Sequence, residues 1–227
     1  MATTTESEWL PLLLQTSDPL FPTGAYAHSF GLEEMVRLGV VKNEESLRQF
    51  LLTQVIPALQ NFELPLLRFV HEDAMGRNVE GICGIDADLD AWKIGRELRE
   101  ASTQMGSRRL QMLLKIAPTP LLEEFSGRNS SNHHLVVFGL QMAGSPLDAA
   151  LIAYLYQSLA AFCSASLKLI RIGQDGCQRV LANCLEEVSS VIHDSKKIAR
   201  EDCGWFNPLL EIASMRHEFA FERLFIS

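Results

Sequence analysis

The stretch 145–173, SPLDAALIAYLYQSLAAFCSASLKLIRIG, decides the fold. Ser145 as N-cap, Pro146 at the first helical position and Asp148 three residues after the cap are typical of a helix start. Apolar residues then recur every three to four positions, which predicts a helix that ends near the closing glycine. Few charges precede Lys168, so we expect the central helix of a bundle. The stripe comprises Leu147, Leu151, Tyr154, Leu155, Leu159, Phe162, Ser166 and Leu169.

Further segments show the same helical periodicity, and alternating strand patterns with Asn-Gly turns are absent. Asn43 is predicted to cap one helix, which Pro57 breaks or kinks, and Asn207-Pro208 opens a last helix. The sequence therefore predicts an all-α fold: residues 1–227 as a single-domain helical bundle of about eight to ten helices. The other stripes are Leu47, Phe50, Leu51, Val55 and Leu59; Ala91, Ile94, Leu98, Ala101 and Met105; and Cys177, Leu181, Cys184, Val188, Val191 and Ile192.

Length and composition fit one ordinary globular domain. With 227 residues, 47% hydrophobic and 21% charged, the chain is large enough to bury a core without metal or disulfide staples. Residues 1–8 are predicted to be flexible. Five cysteines without a CxxC pair argue against a disulfide framework and against a zinc knuckle.

Charge and hydropathy exclude two classes of partner. The formal net charge is −8, and a nucleic-acid surface needs clustered Lys and Arg. The longest apolar stretch, 149–172, is interrupted by polar residues and is predicted to be a buried core helix, not a membrane span; the interrupting residues include Gln157, Ser158, Ser164, Ser166 and Lys168. The first ten residues, MATTTESEWL, are acidic rather than basic and do not resemble a signal peptide. We therefore expect a cytoplasmic protein that binds neither nucleic acid nor membrane.

The motifs of common catalytic and metal sites are missing. No P-loop, GxGxxG with a matched acid, HExxH or GxSxG elbow occurs. His133 and His134 would point about 100° apart on a helix, so a surface loop or helix start is favoured over metal contact. Cys177 and Cys184 are interpreted as small buried apolar residues. The sequence predicts no metal site, no catalytic set and no enzymatic activity.

The segment Leu14–Glu33, LQTSDPLFPTGAYAHSFGLE, carries the most specific pattern. Two prolines and a glycine predict a turn between a short first helix and the next one. Tyr26, His28 and Ser29 then lie within one turn of backbone, and Glu33 follows one helical turn later on the same side. One interpretation is a capped helix start whose Tyr and His bond backbone groups. The other is a polar contact surface or an acid/base site.

This segment resembles the signature of the UreF family of urease accessory proteins. In that family, Phe-Pro-x-Gly-x-Tyr leads into a helix with Ser-x-Gly-Leu-Glu. Pro22, Gly24 and Gly31 are the residues predicted to shape the turn. The matching positions are Phe21, Pro22, Gly24, Tyr26, Ser29, Gly31, Leu32 and Glu33.

Three later segments resemble the same family in order and spacing, so the resemblance runs from about Leu12 to the last residue. Arg171 departs from the pattern, since it stands where the family commonly has proline. The segments are Arg96-Glu97-Leu98-Arg99 with Ser102 and Gly106; Lys168-Leu169-Ile170 with Gly173-Gln174 and Gln178; and the tail Ala213-Ser214-Met215-Arg216-His217-Glu218 with Arg223-Leu224-Phe225-Ile226-Ser227.

The resemblance implies a scaffold in urease maturation. Such a protein joins the UreD-type (UreH) protein and the UreG-type GTPase on apo-urease, where GTP hydrolysis is coupled to nickel insertion. It would have no cofactor of its own and would form a homodimer. The alternative is a small-molecule enzyme that uses Tyr26, His28 and Glu33 as acid/base groups.

The apolar C-terminal tail is the strongest candidate for an interface. Either a partner covers residues 216–227 or the tail folds back onto the bundle, and we predict partner binding. The predicted partner-binding residues are Tyr26, His28, Ser29, Glu33, Lys168, His217, Glu218, Arg223, Leu224 and Phe225.

Overall fold

The structure is a computed structural model that describes residues 9–18, 20–205, 207–220 and 223–226. The predicted flexible segment 1–8 lies outside the described residues, as do Phe221 and Ser227 of the tail. Across the described ranges the regular secondary structure is helical and contains no strand. The predicted all-α fold is therefore confirmed.

The described residues contain thirteen α-helical segments, of which three run on as one rod, giving eleven separate helices. The predicted single-domain bundle is confirmed. Two 3-10 turns, Ala25–Ala27 and Arg200–Asp202, complete the structure. The helices are α1 (Trp9–Ser17), α2 (Leu32–Arg37), α3 (Glu44–Phe50), α4 (Ile56–Ala58), α5 (Leu64–Met75), α6 (Val79–Trp92), α7 (Arg96–Ile116), α8 (Pro120–Ser126), α9 (His134–Gln141), α10 (Leu147–Leu169), α11 (Gln174–Leu185), α12 (Val188–Ser195) and α13 (Pro208–His217).

The rod formed by α3, α4 and α5 is continuous across Pro57, where the sequence predicted a break or kink. Two π-helical turns, Leu51–Val55 and Leu59–Glu63, flank the proline. Proline lacks an N–H and its ring crowds the preceding turn, and the wider π turns accommodate both effects. The predicted cap is confirmed, because Ser46 N donates to Asn43 Oδ1 at 3.0 Å.

Helix α10 packs against α5, α11 and α12, in agreement with the predicted central position, but its ends differ from the prediction. The Ser145 hydroxyl donates to the Met142 carbonyl at 2.8 Å instead of capping α10, so Pro146 occupies the N-cap. Ile170 adopts an extended backbone and ends the helix before the predicted glycine. By length and composition α10 could span a membrane, yet half of its apolar window is buried inside the bundle, as in a core helix.

Two of the predicted apolar stripes extend from one helix into the next. The 91–105 stripe spans the end of α6 and the start of α7, because Lys93 leaves the helical conformation with ψ 87°. Ile94, expected inside, is exposed. The 177–192 stripe is divided between α11 and α12. Periodicity predicted which residues are apolar neighbours but did not predict these two corners.

Helix α9 lies against both α5 and α7, and two glycines allow this close approach. A Cβ on Gly139 would lie 2.5 Å from Val70 Cγ1, and one on Gly106 would lie 1.8 Å from the Asn132 carbonyl oxygen. Most of α9 is buried, from Leu135 to Leu140. This packing fixes α7, which carries one half of the site described next.

Candidate functional site

The turn between α1 and α2 depends on two glycines in left-handed conformations. Gly24 has φ 82° and Gly31 has φ 85°, values that L side chains rarely adopt. Ala27 N donates to the Gly24 carbonyl at 3.0 Å, which closes the 3-10 turn. The chain therefore bends twice within eight residues and brings the start of α2 beside the turn.

The polar residues that the sequence singled out in this turn differ in how far they are buried. Tyr26 is 73% exposed, whereas His28 and Ser29 are buried. Burial, followed by the charge of Arg108, lowers the pKa of His28 below its usual range. The Ser29 hydroxyl accepts from Glu33 N at 3.3 Å and so supports the first turn of α2. Of the side chains of Tyr26, His28, Ser29 and Glu33, that of Tyr26 is the one that is mainly exposed to solvent.

The carboxylate of Glu33 holds the C-terminal segment. Its Oε1 accepts from Leu224 N at 2.8 Å, and its Oε2 accepts from Phe225 N at 3.1 Å. The same Oε2 lies 3.0 Å from Nε2 of His217, at the end of α13. One side chain of the N-terminal segment thus contacts three positions of the tail.

A second carboxylate completes the arrangement from α7. Glu97 Oε2 lies 2.8 Å from His217 Nδ1, and Glu97 Oε1 accepts from Arg223 Nη1 at 2.8 Å. The imidazole of His217 is only 1% exposed between the two acids. We call this cluster the tail clasp: the side chains of Glu33, Glu97, His217 and Arg223 with the backbone N–H groups of Leu224 and Phe225.

The described part of the tail therefore folds back onto the bundle, the alternative that the sequence left open. Phe225 is buried, and Lys168 Nζ lies 5.0 Å from the centre of its ring. Ile226 N donates to the Ala27 carbonyl at 2.8 Å, next to the N-terminal turn. Glu218 pairs with Arg96 at the surface of α7. The tail clasp thus contains residues from three of the four segments that carry the resemblance, and Lys168 of the fourth segment lies beside Phe225.

Not all of the predicted partner-binding residues are at the surface in this arrangement. His28, Ser29, His217 and Phe225 are buried, and Glu33 is largely occupied by the tail. Their contacts with a partner stay predictions. The residues that remain accessible are Tyr26, Lys168, Glu218, Arg223 and Leu224.

An exposed apolar group borders the tail clasp. Leu224 is 69% and Ile226 is 60% exposed, and Tyr26 adjoins Ala27, to which Ile226 is hydrogen-bonded. We call Tyr26, Leu224 and Ile226 the clasp surface. Large apolar side chains grouped in water commonly mark an interface. A groove with mainly apolar walls lies between the end of α2 and the C-terminal part of α13; it is lined by Arg37, Ile212, Met215, Arg216, Phe219 and Ala220.

Sequence reasoning missed Glu97, the second acid of the tail clasp. From the sequence it is named only as part of a segment that resembles the family and is assigned no contact, yet its side chain is buried. A signal was available, because Glu97 opens the Glu-Leu-Arg segment in which the resemblance was found. A helical wheel assigns Glu97 to the solvent side, since it cannot detect that α13 and the tail cover that side.

A buried arginine that sequence reasoning also missed anchors α1. Arg109 donates to the Gln141 side chain, to the Gln157 side chain at 3.3 Å and to the Thr16 carbonyl at 3.2 Å. The rings of Phe21 and Phe138 lie over its guanidinium. Burial lowers its pKa to about 10. Arg109 therefore fixes the segment that leads into the N-terminal turn.

His133 and His134 lie at the start of α9. A helix start was part of the favoured interpretation; a surface loop, its other form, is not what the structure shows. Asp86 accepts from the backbone N–H groups of Asn132 and His133, at 3.0 and 2.8 Å. His133 is buried, with Nδ1 3.0 Å from the Ser102 hydroxyl. In the part of the chain that the structure describes, no group of three or more His, Cys, Asp or Glu is placed to hold a metal ion.

Across the described residues, fold and site define a helical bundle in which Glu33 and Glu97 hold the tail in a polar clasp beside exposed apolar side chains. A family model described as UreF matches residues 41–185. Similar proteins include the urease accessory protein UreF of Paenarthrobacter aurescens (strain TC1), 34% identical over 95% of this chain and 96% of its own. Those of Arthrobacter sp. (strain FB24) and Nostoc sp. (strain PCC 7120) are 33% and 30% identical, each over 95% of this chain, and over 96% and 94% of their own lengths.

The chain therefore belongs to the UreF family of urease accessory proteins. The family model covers the helices from α3 to α11, whereas the relatives align over nearly the whole chain.

Proposed function

We propose that this chain is a non-enzymatic scaffold of urease maturation. It joins a UreD-type (UreH) protein and a UreG-type GTPase on apo-urease, so that GTP hydrolysis is coupled to nickel insertion. Family membership supports the general role, because the relatives are named urease accessory proteins. We expect the chain to work in the cytoplasm, in a complex that depends on nickel and GTP, without a cofactor of its own.

The observation that carries this proposal is the clasp surface. Tyr26, Leu224 and Ile226 leave a large part of their apolar surface in water, although the tail that bears two of them is held firmly by Glu33. Burying such a side chain is worth about 1.5–3 kcal/mol, and the ordering entropy of the segment has already been lost when the tail is clasped. The surface is therefore preorganised for a protein partner, which we take to be the UreD-type protein.

The enzymatic alternative, with Tyr26, His28 and Glu33 as acid/base groups, has less support. Both oxygens of Glu33 are engaged with the tail, and one of them also faces His217. His28 is buried with a lowered pKa, whereas Tyr26 is exposed. A small substrate would have to displace the tail before it reached the carboxylate.

The outer face of α10 is proposed as the homodimer contact. Ile152 and Tyr156 lie one helical turn apart and are both partly exposed on a helix whose composition is otherwise that of a core. A second copy of the chain would cover this face in a two-fold symmetric contact. The clasp surface then stays available on each protomer.

We expect Leu224→Asp to abolish co-purification with the UreD-type protein. Only the side chain changes, so the backbone N–H to Glu33 is retained and the tail clasp can still form. Burying the new carboxylate in an apolar contact costs more than about 1.4 kcal/mol, which corresponds to at least about tenfold weaker binding. The measurement is recovery of tagged chain with the UreD-type and UreG-type proteins after co-expression.

The matched control is Met75→Asp, which changes a similarly exposed apolar side chain at the end of α5. The control variant is expected to co-purify like the unchanged chain. Equal recovery of both variants would contradict the assignment of the clasp surface as the partner contact. Failure of the unchanged chain to assemble would contradict the scaffold function itself.

A further inference from the structure

The corner between α6 and α7 holds an apolar side chain in water. Lys93 leaves the helical conformation, and Ile94, which the apolar stripe assigned to the core, is 55% exposed. Both sides of the corner are anchored: Arg99 Nη1 donates to the Lys93 carbonyl at 3.2 Å, and Gly95 N donates to Glu211 Oε2 on α13 at 3.3 Å. The exposed position of Ile94 is therefore fixed by the fold.

Two partly exposed tryptophans lie near this corner. Trp92, at the end of α6, is 42% exposed, and its ring lies 6.0 Å from that of Phe62, which packs against the core. Trp205 is 43% exposed, and the backbone N–H of the preceding Gly204 donates to the Asn61 carbonyl at 3.0 Å. Asn61 and Phe62 are consecutive, so both tryptophans adjoin the same π-helical turn of the rod.

An ion pair also connects the two chain segments that carry the tryptophans. Arg200 Nη2 lies 3.2 Å from Asp88 Oδ2, and Asp88 precedes Trp92 by one helical turn on α6. We call Trp92, Ile94 and Trp205 the aromatic surface. Trp205 lies shortly before the first residue of α13, whereas the tail clasp lies at its last residue, about 15 Å along the helix. The aromatic surface is therefore separate from the clasp surface.

The free charges around the aromatic surface are negative. Glu201 and Asp202 precede Trp205 by four and three residues, are exposed and form no ion pair with any described residue. The two cations nearby, Arg200 and Lys93, already pair with acids of the bundle, at 3.2 and 2.9 Å. A partner would thus meet two uncompensated carboxylates close to exposed indole rings.

Indole rings and free carboxylates together favour one kind of ligand. A guanidinium or ammonium group is attracted to the face of an indole and also pairs with a carboxylate. Tryptophan is enriched among the residues that contribute most to the affinity of protein interfaces. An acidic segment or an anionic lipid surface would be repelled by the same carboxylates.

We propose that the aromatic surface is a docking site for a basic segment of a protein partner, one that carries arginine or lysine between apolar residues. The apolar residues of this segment cover Ile94 and the indole rings, and its cations pair with Glu201 and Asp202. This second contact goes beyond the function proposed above and does not depend on which protein binds the clasp surface.

The test is a titration of the full-length chain with synthetic peptides, followed by NMR of the indole Nε1–H groups. The chain contains three tryptophans, and the third, Trp9, has a buried Nε1 and serves as the internal reference. The probe peptide alternates arginine with leucine, and a matched peptide alternates glutamate with leucine. We expect the arginine peptide to shift the signals of Trp92 and Trp205 saturably, and the glutamate peptide to shift neither.

Substitutions separate the charged part of the surface from the aromatic part. Glu201→Gln combined with Asp202→Asn should weaken binding of the arginine peptide about three- to tenfold, since exposed ion pairs are individually weak. The matched control, Glu186→Gln with Glu187→Gln, removes two adjacent exposed acids between α11 and α12 and should leave binding unchanged. Trp205→Ala should weaken binding at least about tenfold. Circular dichroism verifies that each bundle is folded.

Equal shifts with the glutamate peptide would overturn the proposal, because charge would then have no part in recognition. It would also be overturned if the arginine peptide shifted neither Trp92 nor Trp205, or shifted Trp9 as much as these two. Equal weakening by the control pair of substitutions would exclude Glu201 and Asp202 as the specific contact. None of these results would touch the scaffold function, which the co-purification experiment tests separately.

Discussion

Gly106→Ala is expected to destabilise the protein by more than about 4 kcal/mol, although alanine is the better helix former. The new Cβ would lie 1.8 Å from the Asn132 carbonyl oxygen and 2.7 Å from the His133 carbonyl carbon. These are backbone atoms in a loop that Asp86 anchors, so they cannot move aside as a flexible side chain would. Helix α7 would have to separate from the start of α9, which opens the core.

The matched control is Gly84→Ala, in the middle of α6. There the nearest atom to an added Cβ is Arg200 Nη2 at 3.8 Å, an ordinary contact. Helix propensity alone should therefore act at this position and stabilise the protein by up to about 1 kcal/mol. Urea unfolding followed by circular dichroism measures both variants. If Gly106→Ala were as stable as Gly84→Ala, the close contact between α7 and α9 would be wrong.

Glu33→Ala is expected to release the tail and to reduce urease activation in cells to less than about a tenth. Removing the carboxylate leaves the Leu224 and Phe225 amides and one nitrogen of His217 without their acceptor. Each buried hydrogen-bonding group left without a partner typically costs about 1–3 kcal/mol, and a short terminal segment has few other contacts from which to recover that loss. The bundle should stay folded, since no core side chain changes.

The control for this prediction is Glu45→Ala, which removes an exposed acid paired with Arg48. Such surface pairs contribute about 0–1 kcal/mol, so activation should be unchanged. Activation is measured as urease activity in cells that express each variant at equal level. Normal activation by Glu33→Ala with a released tail would show that the clasped tail has no part in the function.

The helices could be predicted from the sequence because their signals are local. In α10 an apolar stripe over six turns and a proline at its start were sufficient, and Asn43 was a recognisable cap. The cap of α10 was predicted wrongly, since the Ser145 hydroxyl had a nearer acceptor in the carbonyl of Met142. The corner between α6 and α7 was missed, because an apolar stripe continues across it unchanged.

The tail clasp could be predicted only in part. Both termini were singled out, one by its turn residues and one by its apolar tail, but periodicity carries no information on which distant segments meet. Glu97 and His217 are 120 residues apart, and Glu33 and His217 are 184 apart. Their contact depends on how α13 crosses α2 and α7, a property of the packed bundle. The direction of the tail, onto its own chain, followed only from the structure.

Hydrogen exchange of the chain with and without the UreD-type protein tests whether this partner binds at the clasp surface. We expect that binding increases protection at the 3-10 turn Ala25–Ala27 and at residues 223–226, because the clasp surface becomes buried. Amides inside α10 should change little, since that helix packs against α5, α11 and α12 in the core of the bundle. Increased protection elsewhere, with the turn and the tail unchanged, would contradict the assignment of the tail clasp as the place where the partner binds.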